Sequence, residues 1–93
     1  MSSVIQDNLL RVIMAQREFV LRNRLRVARA ERDLSQERLA ELAGVTRQTI
    51  SAVENNQYVP SALLAFVLAH CVGKPVDQVF TLEEARGDDE GRT

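Results

Sequence analysis

The sequence is poor in cysteine and in aromatic residues. Its 93 residues include one cysteine, Cys71, and no tryptophan. A single cysteine excludes an internal disulfide and is typical of a protein from a reducing compartment. No apolar run approaches the roughly 20 residues that a membrane-spanning helix needs, and the N-terminus lacks the pattern of a signal peptide. We therefore expect a cytoplasmic protein without a membrane segment.

Residues for catalytic or metal sites are also scarce. His70, the single histidine, is adjacent to Cys71 in a segment that reads as a helix, so the two side chains point apart by roughly 100°. The sequence has no cluster of Cys and His and no glycine-rich phosphate loop. We expect neither an enzyme nor a metal or other cofactor, and a chain this short leaves no room for a small-molecule effector domain.

The net charge of −1 conceals an uneven distribution. Between positions 22 and 32, five arginines are opposed only by Glu31, whereas acidic residues outnumber basic ones after Phe80. The net charge does not suggest a nucleic-acid partner, but the local asymmetry permits one.

Apolar residues recur at helical spacing through most of the chain. The segment from Val4 to Val20 predicts an amphipathic helix, and a second helix is expected over Leu21 to Arg32, ended by Asp33. A fifth helix is expected to begin at Pro60 and to end at Gly73. Its core face is predicted at Ala62, Ala65, Leu68, Ala69 and Val72.

The third and fourth helices carry the clearest boundary signals. Ser35 is a suitable N-cap for the third helix, Gly44 can adopt the positive φ that ends it, and Thr46 is a suitable cap for a fourth helix over Arg47 to Glu54. A link of three or four residues containing a glycine has the spacing of a helix-turn-helix. The segment 76–80 predicts a short closing helix, "TLEE" a strand or an extended segment, and residues 85–93 a disordered acidic tail.

The stretch "LSQERLAELAGVTRQTISAVENNQYVP" resembles the Cro/lambda-repressor type of helix-turn-helix, also called the xenobiotic-response-element (XRE) family. The resemblance covers roughly residues 23–84. It implies an all-α protein with a five-helix DNA-binding domain over 23–84 and its helix-turn-helix over 35–54. Residues 1–22 would be an added helix that serves dimerisation, and 85–93 would be a flexible tail.

The resemblance implies which residues contact double-stranded DNA. Arg pairs best with guanine and Gln with adenine, and small residues permit close approach to the groove. The implied base-reading residues are Arg47, Gln48, Ser51 and Ala52. Without the resemblance, a plain solvated face would be the better interpretation of these side chains.

Other residues would contact the sugar-phosphate backbone, which sets register without carrying sequence information directly. Those implied are Gln36, Thr46, Thr49, Asn55, Asn56, Gln57 and Tyr58. Thr46 is expected to act first as a cap. Arg29 and Glu54 match positions that form an ion pair between helices in the family, and we interpret them as structural.

The sequence departs from the family pattern at two places. Asn56 replaces the usual loop glycine, and the fifth helix carries a second, largely apolar stripe that something must cover. We expect a homodimer built by this stripe and the N-terminal helix, through Ile5, Leu9, Val12, Ile13, Leu63, Phe66, Val67 and His70. The alternative is that the N-terminal helix covers its own subunit.

The sequence as a whole predicts a transcriptional regulator of the cytoplasmic nucleoid. We expect a repressor that binds a palindromic operator as a homodimer, with one recognition helix per half-site in the major groove. The alternative is an antitoxin or adaptor module of the same fold whose main role is to bind a protein partner.

Overall fold

The computed structural model describes residues 2–85, with side chains described from residue 8 onward. Over this range the chain is mostly helical, as predicted, and forms six helices and two strands. In chain order these are α1 (Ser2–Gln16), β1 (Phe19–Asn23), α2 (Leu25–Glu31), α3 (Gln36–Ala43), α4 (Arg47–Glu54), α5 (Ala62–Cys71), α6 (Val76–Val79) and β2 (Phe80–Glu84).

The chain forms two compact units. One unit is Leu21–Thr81, and the other combines the segment that ends at Val20 with the segment that begins at Leu82. The core of the first unit is built from one face of each of its helices, and its largest fully buried side chains are Leu25, Leu39, Ile50, Leu68, Val53, Val72 and Val79. Full burial of each such side chain stabilises the fold by about 1.5–3 kcal/mol.

Capping residues define the ends of the helices as the sequence predicts. The Ser35 hydroxyl accepts from the backbone N–H of Arg38 at 3.0 Å, and the Thr46 hydroxyl accepts from that of Thr49 at 3.2 Å. Each bond satisfies one N–H that the first helical turn leaves unpaired. Gly44 has φ +74°, in the left-handed region where a Cβ would be strained. These contacts fix the turn between α3 and α4.

The prediction of the first and second helices is wrong where the two were expected to meet. Residues 17 and 18 form a turn, Phe19–Asn23 is strand β1, and α2 begins at Leu25 rather than at Leu21. A short apolar run fits either a helix or a buried strand, so spacing alone did not separate the two. Backbone bonds from Arg24 N–H to the Val79 carbonyl and from Ala85 N–H to the Glu18 carbonyl flank an antiparallel β1–β2 pair.

The C-terminal half differs from the prediction in detail. Ser61, and not Pro60, caps α5 by accepting from the Leu64 N–H at 3.1 Å, because proline has no hydroxyl to offer. Ala62 is exposed, and Leu64 packs on the core instead. "TLEE" lies in strand β2, and the predicted tail lies outside the described residues from position 86 onward.

Candidate nucleic-acid interface

Helix α4 presents polar side chains on a rigid support. Ile50 and Val53 are 0% and 1% exposed and anchor one face of the helix in the core. Arg47 and Gln48 are exposed at its first turn, and Ser51 and Ala52 are half-buried one turn further on. All four predicted base-reading residues therefore occur on α4, with the two longest side chains at its N-terminal end.

Arg47 is oriented by residues of α3. Its Nε lies 3.3 Å from Gln36 Oε1 and 3.8 Å from Glu37 Oε2. The Arg47 side chain is nevertheless 62% exposed, so most of its N–H donors face solvent. An exposed guanidinium held at one edge can donate to an acceptor outside the protein without a large loss of rotamer entropy.

A buried carboxylate, Glu54, joins three elements. Arg29 donates to it twice, from Nε to Oε2 at 2.7 Å and from Nη2 to Oε1 at 3.3 Å. Gln36 donates from Nε2 to Oε1 at 3.0 Å, and Arg26 Nε lies 3.4 Å from the same oxygen. The Glu54 side chain is completely buried. The expected Arg29–Glu54 pair is thus present, and it ties α2 to the C-terminal end of α4.

The charge of Glu54 is stabilised despite its burial. Burial by itself would raise the pKa of this carboxyl group, but hydrogen bonds from Arg29 and Gln36, the positive charge of Arg29 and a hydrogen bond from Arg26 together outweigh that effect. The pKa of Glu54 is therefore lowered from its ordinary value of 4.5. The network is held together by a fully ionised carboxylate at neutral pH.

The side chain of Gln36, which was expected to contact a DNA phosphate, is hydrogen-bonded within the protein. Its amide nitrogen donates to Glu54, while its amide oxygen accepts from Arg47. One side chain thereby links the buried ion pair to the exposed arginine of α4. The side chain expected to contact the DNA backbone is already occupied on both sides in the protein alone.

The remaining backbone-contact candidates lie at the two ends of α4. Thr46 and Thr49 are within hydrogen-bond distance of each other through their hydroxyls, at 3.1 Å, and Thr46 acts as the cap. The segment after the helix is exposed, and Asn56 adopts φ +60° there, as expected of an asparagine in place of glycine. The exposed residues of this segment include Asn55, Asn56, Gln57 and Tyr58.

Asn23 at the end of β1 and Arg26 in the first turn of α2 hold this segment, and neither was among the predicted site residues. Asn23 donates from Nδ2 to the Val53 carbonyl at 2.8 Å and to Asn56 Oδ1 at 3.1 Å. Arg26 donates from Nη2 to Asn55 Oδ1 at 2.8 Å. The run of arginines from position 22 was the available signal, but only the fold shows which arginine faces α4.

The residues predicted for dimerisation are largely exposed. On α5, Leu63 and Phe66 are 76% and 61% exposed, His70 is exposed and Val67 is half-buried. On α1, a second group is also exposed, while the side chain of Ile5 lies outside the described residues. This group includes Leu9, Val12 and Ile13.

Metal-type clusters and membrane-spanning helices are not found among the described residues. Over residues 2–85 no three or more His, Cys, Asp or Glu side chains come together as a metal site would require. None of the helices described there has both the length and the apolar character to cross a bilayer. Burial raises the pKa of the Cys71 thiol, which keeps it protonated at neutral pH.

Comparison with known proteins places the chain in a family. Residues 25–79 match the helix-turn-helix family model HTH_3. The uncharacterized HTH-type transcriptional regulator YgzD of Bacillus subtilis is 44% identical over 64 residues, which cover 69% of this chain and 97% of the relative. An uncharacterized HTH-type transcriptional regulator of Methanothermobacter thermautotrophicus is 45% identical over 65 residues, covering 69% of this chain and 94% of the relative.

A solved structure supports the same assignment. The restriction-modification controller protein C.AhdI from Aeromonas hydrophila is 34% identical and superposes with a TM-score of 0.57, covering 59% of this chain and 80% of that protein. Its likeness agrees with the α3–turn–α4 geometry described above. The chain therefore belongs to the XRE-type helix-turn-helix family of DNA-binding transcriptional regulators, which are not enzymes.

Proposed function

We propose that this regulator reads the sequence of double-stranded DNA by inserting α4 into the major groove. The observation that carries the proposal is the exposure of Arg47 and Gln48 at the first turn of a helix anchored by Ile50 and Val53. The major groove admits an α-helix and displays a distinct pattern of donors and acceptors for each base pair. Arg47 would bind guanine, and Gln48 adenine.

The half-buried residues of α4 would set the depth of insertion. Ser51 and Ala52 are small, so the helix would approach the base edges closely, and the Ala52 methyl group would contact a thymine methyl. Thr46, Thr49 and the exposed segment 55–58 would bind phosphates on both sides of the groove, and so fix the register of the helix.

The proposal includes a homodimer on a palindromic operator. Leu63 and Phe66 are large apolar side chains that stay exposed on α5, in the same compact unit as α4. A two-fold interface through this face would place the two copies of α4 a fixed distance apart, to match half-sites about 34 Å apart. The exposed apolar residues of α1 would add to the interface.

Repression is the mode of regulation that we propose. A DNA-binding domain that occupies its operator acts most simply by excluding polymerase from the same DNA. The regulator would work at the nucleoid. Its affinity should fall steeply with salt, because each neutralised phosphate releases counterions.

Selection of bound duplexes from a random library tests the proposal. We expect the wild-type protein to enrich a sequence with two-fold symmetry and half-sites about one helical turn apart. Enrichment of a single, unpaired half-site would contradict the homodimer. If folded protein enriches no sequence, base reading by α4 is wrong, and a role as an antitoxin or adaptor that binds a protein partner would be the better explanation.

A further inference from the structure

The cluster around Glu54 carries an uncompensated positive charge. Two guanidinium groups, those of Arg26 and Arg29, face the one carboxylate of Glu54, so the three residues sum to one positive charge. Arg29 makes the closer, two-bond contact, and its third nitrogen, Nη1, donates to the Leu34 carbonyl at 2.7 Å. Arg29 is therefore committed to the fold, and the excess charge resides on Arg26.

Arg26 is held in place but remains accessible. Its side chain is 59% exposed, against 15% for Arg29. The bonds to Glu54 and Asn55 use two of its five N–H donors, and the bond to Glu54 is long at 3.4 Å. Most of the donor capacity of Arg26 is thus open to solvent, next to a segment already proposed to bind the DNA backbone.

The contact with Asn55 orients the guanidinium group of Arg26. Asn55 caps the C-terminal end of α4, and its amide nitrogen donates to the Ser51 carbonyl at 3.0 Å while its amide oxygen accepts from Arg26. Both hydrogen-bonding groups of Asn55 are therefore used to fix the guanidinium relative to α4. An arginine ordered in this way is suited to bind a phosphate, because little rotamer freedom remains to be lost on binding.

We infer that Arg26 binds a DNA phosphate beside the C-terminal end of α4, and that Asn55 acts mainly as the residue that positions it. This inference rests on the proposed docking of α4 in the major groove. It assigns a DNA contact to α2, a helix outside the helix-turn-helix motif. It also gives the bond between Arg26 and Asn55 a function beyond stability.

The salt dependence of DNA binding tests the inference. Affinities of the wild type and of Arg26→Gln are measured by fluorescence anisotropy on the selected operator and on a scrambled duplex, from low to moderate salt. Loss of one phosphate contact should reduce the slope of log K against log[salt] by about 0.9. The affinity should fall by a similar factor on both duplexes, because a phosphate contact carries no sequence information.

Arg24→Gln is the matched control. Arg24 is an exposed arginine two residues away, at the N-cap of α2. It lines a surface pocket of about 170 Å³ with residues that include Glu31 and Lys74, away from α4. The control removes the same charge from a surface that includes no residue of α4, so we expect its slope to match that of the wild type. Arg26→Lys should restore most of the wild-type slope, which a purely structural role would not require.

The results of these measurements distinguish a failure of the inference from a failure of the proposed function. If the wild type binds with a strong salt dependence but Arg26→Gln keeps the wild-type slope, or if Arg24→Gln loses as much, the inference is wrong and the proposed function stands. If the folded wild type binds neither duplex, both are wrong. Thermal unfolding of each variant by circular dichroism confirms that the measured proteins are folded, and a slope unchanged in folded Arg26→Gln overturns the inference.

Discussion

At the scale of single residues, the buried carboxylate of Glu54 decides how well α4 is held. It accepts from Arg29 and Gln36 and lies near Arg26, so it joins α2, α3 and α4. A buried charge is tolerated only when such partners compensate for its loss of water. Removing the charge leaves Arg26 and Arg29 without their carboxylate partner at the point where α4 ends.

We expect Glu54→Gln to lower the free energy of unfolding by about 3 kcal/mol at pH 7, because it leaves Arg29 without a carboxylate in a largely buried position. Urea unfolding measures the change. Glu41→Gln is the control, since Glu41 is 69% exposed and pairs with Arg38 on the same helix. Such a surface pair contributes at most about 1 kcal/mol. Equal losses in the two variants would contradict the role assigned to Glu54.

The difference in stability between the wild type and Glu54→Gln should also depend on pH. The folded pKa of Glu54 lies below 4.5, so its stabilising contribution is complete above that pH and is lost as the pH falls through the folded pKa. The difference in unfolding free energy between wild type and Glu54→Gln should therefore be constant at neutral pH and shrink below about pH 4.5. A difference that grows on acidification would contradict this assignment.

At the scale of secondary-structure elements, the turn between α3 and α4 sets the orientation of α4. Gly44 has φ +74°, and a Cβ placed there would meet no other atom within 4 Å. The requirement for glycine is therefore conformational, not steric. The caps at Ser35 and Thr46 fix the helix beginnings on either side of this turn.

We expect Gly44→Ala to lower the free energy of unfolding by about 1 kcal/mol, the cost of holding an ordinary residue in the left-handed region. Gly44→Asn should cost less, because asparagine tolerates that conformation. Thermal and urea unfolding of the wild type, Gly44→Ala and Gly44→Asn measure the order of their stabilities. An alanine variant as stable as the wild type would show that the turn relaxes without strain.

Local signals explain which elements could be predicted from the sequence. Ser35, Gly44 and Thr46 act on neighbouring residues, so α3 and α4 were predicted to the residue. Strand β1 was missed because its hydrogen-bonding partner, β2, lies about sixty residues away and no local pattern reveals the pairing. The contact of Arg26 with Asn55 was not predicted for the same reason, since it spans 29 positions.

At the scale of the whole molecule, exposed apolar side chains on α5 support the proposed homodimer. Leu63 and Phe66 on α5 are both largely exposed, and Val59, 70% exposed, precedes the same helix. A group of exposed apolar side chains of this kind marks a candidate interaction surface. Burial of this surface against a second copy would offset the entropy lost on association.

We expect the wild type to sediment as a dimer at micromolar concentration and Leu63→Glu, Phe66→Glu to sediment as a monomer, because two charges would be buried in the interface. Leu42→Glu is the control, since Leu42 is 46% exposed on α3 and lies outside the proposed interface. A wild type that is monomeric at this concentration, or a charged α5 variant that still dimerises, would contradict the proposed interface.

The central claim is that α4 reads bases, and the specificity ratio of Arg47→Ala, Gln48→Ala tests it most directly. The ratio compares affinity for the selected operator with affinity for a scrambled duplex at one salt concentration, and Arg38→Ala on α3 controls for the lost charge. Each bidentate base contact contributes about 1–3 kcal/mol of discrimination, so the ratio should fall by roughly 100-fold while weak, salt-dependent binding remains. An unchanged ratio in the folded double variant would contradict the claim and show that residues other than Arg47 and Gln48 select the operator.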